Sequence, residues 1–167
     1  METNFIYNHV FRCERLNEPM LSYNANKRIS QDAQAESVLR AIYEKENIDL
    51  AICEVCIALL LNQDNKITGY YKVSQGGTAS TIIDAKMIVK AALDTFSSGV
   101  ILCHNHPSGN PRPSQADIKE TENLQKALGF FSMHLLDHII ITEDNAFYFS
   151  SNTSRKPLHQ KQLNGIP

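Results

Sequence analysis

His104 and His106 stand one residue apart at the end of a short apolar run, Val100 to Cys103. In an extended chain, side chains two apart point to the same side, so both imidazoles can reach one ion. Neutral imidazole nitrogen is a preferred zinc ligand, and two rings leave a tetrahedral site half filled. Asp117 is the candidate third ligand. It falls in the first turn of a helix that Ser114 opens, and Asp117, Thr121, Leu124 and Leu128 recur at helical spacing. An acid on the apolar stripe of a helix is costly unless a charge or a metal partners it. The same residues, Ser114 to Asp117, also read as a capping-box-like helix start with the acid near the helix dipole. Two histidines and one carboxylate leave a fourth position for water, which is the composition of a catalytic zinc site.

Glu54 is the candidate base. It interrupts the apolar run Cys53 to Leu61, and a carboxylate at the mouth of a buried strand either accepts a proton from activated water or is a solvated strand end. Ser114 is expected as an N-cap whatever the chemistry, and its hydroxyl could also donate to an oxyanion. Asp137 and His138 enter the apolar run Leu135 to Ile141, where they either orient a metal-bound imidazole or make a structural pairing. Cys53 and Cys56 form a C-x-x-C, but residues three apart on a strand face opposite sides and no second pair completes a site. They and Cys103 read as small core residues.

Positioning these groups requires alternating helices and strands. Ser30 is the expected N-cap of a first helix, with Ala35, Val38, Leu39, Ile42 and Tyr43 as its apolar stripe and an end near Asn47. Cys53 to Leu61 and Ile67 to Val73, joined by Asn62 to Asn65, predict a central hairpin. Asp84 caps a second helix, with Ile88, Ala91, Ala92 and Thr95 on one face, ending before Ser97. After the third helix, Leu135 to Thr142 and Phe147 to Phe149 predict closing strands around Asp144 and Asn145. Residues 1–28 read as an N-terminal extension that adds at most an edge strand, 29–152 as the metal-binding domain, and 153–167 as a tail.

With 167 residues, 43% hydrophobic and 20% charged, and a net charge of −2, the composition is that of one ordinary soluble domain. No basic excess announces a nucleic-acid surface, so DNA contact would need a local patch. No run of about eighteen apolar residues is available to span a bilayer, and the expected location is the cytoplasm, with no membrane partner. Four irregularly spaced cysteines, Cys13 among them, predict reduced thiols rather than a disulfide framework.

The order Glu54, His104-x-His106, seven residues, Ser114, two residues, Asp117 resembles the signature of the JAMM (MPN-plus) metalloprotease superfamily. The strings HNHPSGNPRPSQAD and LLDHIII are similar to those of the RadC family within it. The resemblance implies an α/β (α+β) fold of the JAMM/MPN, cytidine deaminase-like kind: a three-layer arrangement with a curved mixed sheet flanked by helices. It implies one Zn2+ per chain on His104, His106 and Asp117, with Glu54 as general base and Ser114 supporting the transition state. The implied activity is hydrolysis of amide bonds, peptide or isopeptide, in a protein or peptide substrate. Two other readings are a DNA-associated accessory protein whose zinc is not catalytic, as in DNA repair or mobile elements, and a DNA-directed metal hydrolase. Longer RadC proteins carry a helix-hairpin-helix region that nothing in residues 1–28 resembles. Where many relatives open the second helix with Arg-Glu, this chain has Lys86-Met87.

Overall fold

A computed structural model describes residues 28–76 and 83–152; the proposed extension and tail, except Arg28, lie outside these. Helix α1 (Asp32–Lys45) precedes strands β1 (Val55–Leu61) and β2 (Ile67–Gln75). Helix α2 (Ala85–Asp94), strand β3 (Gly99–Asn105), helix α3 (Gln115–Gly129), strands β4 (His134–Ile141) and β5 (Ala146–Tyr148), and the short helix α4 (Phe149–Asn152) follow.

The five strands form one mixed sheet in the order β2-β1-β3-β4-β5. Pairing is antiparallel except between β3 and β4, which are parallel and joined through α3. The β1–β2 hairpin is therefore not central as its sequence predicts. β2 is an edge strand and β3 occupies the middle. The physical reason is that a continuous apolar run such as Val55–Leu61, every residue of which is buried, reports cover on both faces but not which strands lie beside it.

That two-sided burial requires two helical layers. Val55, Ile57, Leu59 and Leu61 pack with Ile101, Cys103 and Ile139 against Ala35, Val38, Leu39 and Ile42 of α1. Cys56, Ala58 and Leu60 join Leu102 against Ile88 and Ala92 of α2 and Leu124 and Leu128 of α3. The result is the helix-sheet-helix sandwich expected of the resemblance. Each fully buried Leu or Ile here contributes roughly 1.5–3 kcal/mol of hydrophobic stabilisation.

Local signals fix most boundaries. Asp84 caps α2, its side chain accepting from the Lys86 amide, and Ser114 caps α3. The stripe of α1 is the predicted one, but its N-cap is Gln31 with no side-chain bond, not Ser30; the Ser30 amide and hydroxyl both reach Gln34 Oε1 instead. On α2, Val89 is buried and Thr95 is the C-cap residue, its hydroxyl donating to the Ala91 carbonyl. Phe149 begins α4 rather than ending a strand. Arg40 anchors α1 to the β4–β5 turn by donating to the carbonyls of Thr142 (2.8 Å) and Asn145 (3.0 Å).

Candidate metal centre

The chemistry gathers at the C-terminal end of β3, on the face covered by α3. His104 pairs directly with Cys56 of β1 and is 1% exposed. His106 continues the ladder, its amide donating to the Ile141 carbonyl at 2.9 Å, so the two rings share a side with centroids 4.7 Å apart. Beyond them the chain turns at Gly109, whose φ of +75° suits glycine. The turn returns the Asn110 carbonyl to accept from His106 Nδ1 at 2.8 Å.

Asp117 arrives from the first turn of α3. The two readings of this acid coexist. Its Oδ2 accepts from the Ser114 amide (2.6 Å), while its amide donates to Ser114 Oγ (3.2 Å). Its carboxylate also faces both rings, Oδ1 lying 3.3 Å from His104 Nε2 and Oδ2 3.7 Å from His106 Nε2. Burial pushes the Asp117 carboxyl up, but the His104 ring facing it and the hydrogen bonds from Ser114 more than offset it and hold it well below the usual carboxylate range.

Donor and acceptor inventory determines where the ring protons sit. Thr121 Oγ1 has one hydrogen, which goes to the Asp117 carbonyl at 2.5 Å. The contact of 2.7 Å between Thr121 Oγ1 and His138 Nδ1 must then be donated by the ring. His138 Nε2 is left as an acceptor and takes the hydrogen of His104 Nδ1 at 2.8 Å. On the other ring, the Asn110 carbonyl requires the hydrogen on His106 Nδ1. With both rings neutral, the two Nε2 atoms therefore present lone pairs, and they face each other at 2.9 Å. Two bare lone pairs at that distance repel unless a proton or a metal ion lies between them. Tetrahedral zinc with bonds of about 2.0–2.1 Å would set its nitrogens about 3.3 Å apart, so a small opening of the pair admits the ion. His104, His106 and Asp117 form the group of ligand atoms among the described residues, all within 4.8 Å of one another, that could hold a metal.

Glu54 precedes β1 by one residue. Alternation places it on the same face as Cys56, hence as His104, and it is half-buried. Burial and then the Asp117 carboxylate push the Glu120 carboxyl up, with Glu54 adding to this and His104 opposing it. The four groups thus share one electrostatic neighbourhood at the rim of the centre. Ser114 is exposed at the helix start, its oxygen committed to the capping box and its hydroxyl hydrogen given no acceptor by that pairing.

Two features escape a reading of spacing alone. Asn105, fully buried between the histidines, points to the opposite side and clamps the segment leading into β1. Its Oδ1 accepts from the Val55 amide (2.8 Å), and its Nδ2 donates to the carbonyls of Leu50 and Cys53 (both 2.9 Å). A buried amide flanked by two ligands is the signal that could have found it. Glu120, one turn from Asp117, is the other. Of the pair left open in β4, His138 contacts His104, whereas Asp137 Oδ1 accepts from the His138 and Ser150 amides and its buried Oδ2 has no hydrogen-bond partner among the described residues. Cys56 and Cys103 are core thiols on opposite faces, as alternation predicts, and burial pushes both up in pKa.

Residues 29–156 match the family model described as the RadC-like JAB domain. A UPF0758 protein of Flavobacterium johnsoniae is 43% identical over 91 residues, which is 54% of this chain and 40% of that protein. A UPF0758 protein of Neisseria meningitidis serogroup B is 42% identical over 96 residues, 58% of this chain and 43% of its own length. One from Porphyromonas gingivalis is 43% identical over 90 residues, 54% and 40% respectively. The matched part spans less than half the length of these curated relatives.

Proposed function

Because the chain belongs to the RadC-like JAB domain family, we propose that it is a zinc-dependent hydrolase of amide bonds, peptide or isopeptide, in a protein substrate. The observation that supports this reading is the convergence of His104 Nε2, His106 Nε2 and the Asp117 carboxylate on a single point. His104, His106 and Asp117 would hold the ion. When bound, zinc supplies a Lewis acid that polarises a carbonyl and lowers the pKa of water to about 7. Glu54 takes the proton from the attacking water and returns it to the departing amine. Ser114 donates its hydroxyl hydrogen to the oxyanion formed at the carbonyl. No helix among the described residues is long and apolar enough to cross a membrane, and a cytoplasmic protein or peptide is the partner this reading calls for.

The test sets the wild type beside Glu54→Gln on ubiquitin-like fusions, peptides and DNA. The expected result is amide cleavage that falls by roughly 10²–10⁴-fold in the variant, with zinc content retained. Asp117→Ala should lose the ion, and retention would contradict its assignment. Steeply salt-dependent DNA affinity without hydrolysis would replace this reading with the accessory role. Nuclease activity lost in Glu54→Gln would redirect it to DNA.

A further inference from the structure

His138 and Thr121 lie behind the centre, away from the reacting groups. His138 is fully buried and stacks on Phe149 with ring centroids 4.7 Å apart and planes within 10°. Its hydrogen bonds join β3, β4 and α3: His104 Nδ1 to His138 Nε2, His138 Nδ1 to Thr121 Oγ1, and Thr121 Oγ1 to the Asp117 carbonyl. The last acceptor carries no hydrogen, so the direction of the whole series is fixed from that end. A neutral imidazole has one N–H, and which nitrogen bears it is set by what the other nitrogen meets. Were the Thr121 oxygen absent, His138 could carry its hydrogen on Nε2. His104 Nδ1 would then have to accept, and its own hydrogen would move to Nε2, where it blocks metal binding.

We propose that Thr121 and His138 are positioning residues: the Thr121 hydroxyl, pinned to the backbone of Asp117, presets through His138 the tautomer in which His104 presents a bare Nε2 to the ion. The arrangement links the two ligands that come from different elements. If α3 withdraws, Asp117 and Thr121 leave together, and the contact from Thr121 to His138 that keeps His104 ready is lost in the same movement. This rests on His104 and Asp117 being ligands, as in the reading above, and it adds residues that touch neither metal nor substrate.

Two measurements test it. Two-bond ¹H–¹⁵N correlation on the metal-free protein reads imidazole tautomers directly, and zinc affinity is read by competition with a chromophoric chelator. In the wild type, His138 should be neutral with its hydrogen on Nδ1 and its Nε2 bare. Thr121→Val keeps the side-chain shape and removes the oxygen; it should move the His138 hydrogen to Nε2 and weaken zinc binding by about 10–100-fold. Thr121→Ser restores the oxygen and should restore both readouts. A wild-type His138 hydrogen on Nε2 would overturn the proposal. So would unchanged zinc affinity in Thr121→Val, or a loss of affinity in that variant with the His138 tautomer unmoved. If Thr121→Val fails to fold, the wild-type tautomer and Thr121→Ser decide. If the wild type binds no zinc, the hydrolase reading fails, while the wild-type tautomer still tests the relay.

Discussion

At the scale of residues, two buried acids on neighbouring elements respond to opposite influences. Asp117 is held ionised by His104 and Ser114. Asp137 has one oxygen without a hydrogen-bond partner among the described residues, and burial raises it from 3.8 to about 6 against the pull of the Ser150 and His138 amides. A carboxyl raised on folding stabilises the native state fully below its unfolded pKa, near 4, and loses that contribution as pH rises through 6. Asp137→Asn should therefore gain on the wild type between pH 4 and pH 7, by up to about 3 kcal/mol. Urea unfolding of both proteins across that range measures it, and parallel curves would contradict the shift. The candidate ligands were legible because His104, His106 and Asp117 sit within one short stretch at diagnostic spacing. For His138 the sequence left two uses open, orienting a metal-bound imidazole or a structural pairing, since its partner lies 34 residues away and a lone buried histidine fits either.

At the scale of elements, the clamp of Asn105 ties the segment before β1 to the centre of the sheet. Asn105→Ala removes three hydrogen bonds and strands buried backbone groups, which should cost about 2–4 kcal/mol of stability in chemical denaturation. Because that segment carries Glu54, the same variant should lose more turnover than zinc affinity; an equal loss of both would place the effect at the ligands. The helices were readable where period and caps agree, as in α1 and in α3 with Ser114. Strand order was not, because pairing is nonlocal. Nothing in Val55–Leu61 states that β3 lies on one side and β2 on the other, and Phe149 reads as one more strand aromatic until α4 is seen to begin there.

At the scale of the molecule, the proposed function couples ion binding to folding, because the candidate ligands come from β3, its following turn and α3, which unfold apart. Zinc at a hundredfold excess over its dissociation constant should stabilise the native state by about 2.7 kcal/mol. For a chain of this size that corresponds to a rise of roughly 5–10 °C in melting temperature, removed by a chelator. Calorimetry with and without zinc checks it, and His106→Ala should show almost none of the rise. The three-layer sandwich was foreseeable from the resemblance to the RadC family, and the apolar runs and amphipathic stripes by themselves indicated only alternating strands and helices.

On the proposed reading, every group that would grip the ion or ready its grip lies in one continuous stretch, from His104 through Thr121 to His138, while the proposed proton carrier Glu54 comes from fifty residues upstream. Capture and turnover therefore drift independently under mutation. A descendant with one altered upstream position would keep its silhouette and its cargo yet transform nothing, so an assay of bound metal would not tell the working protein from its retired cousin.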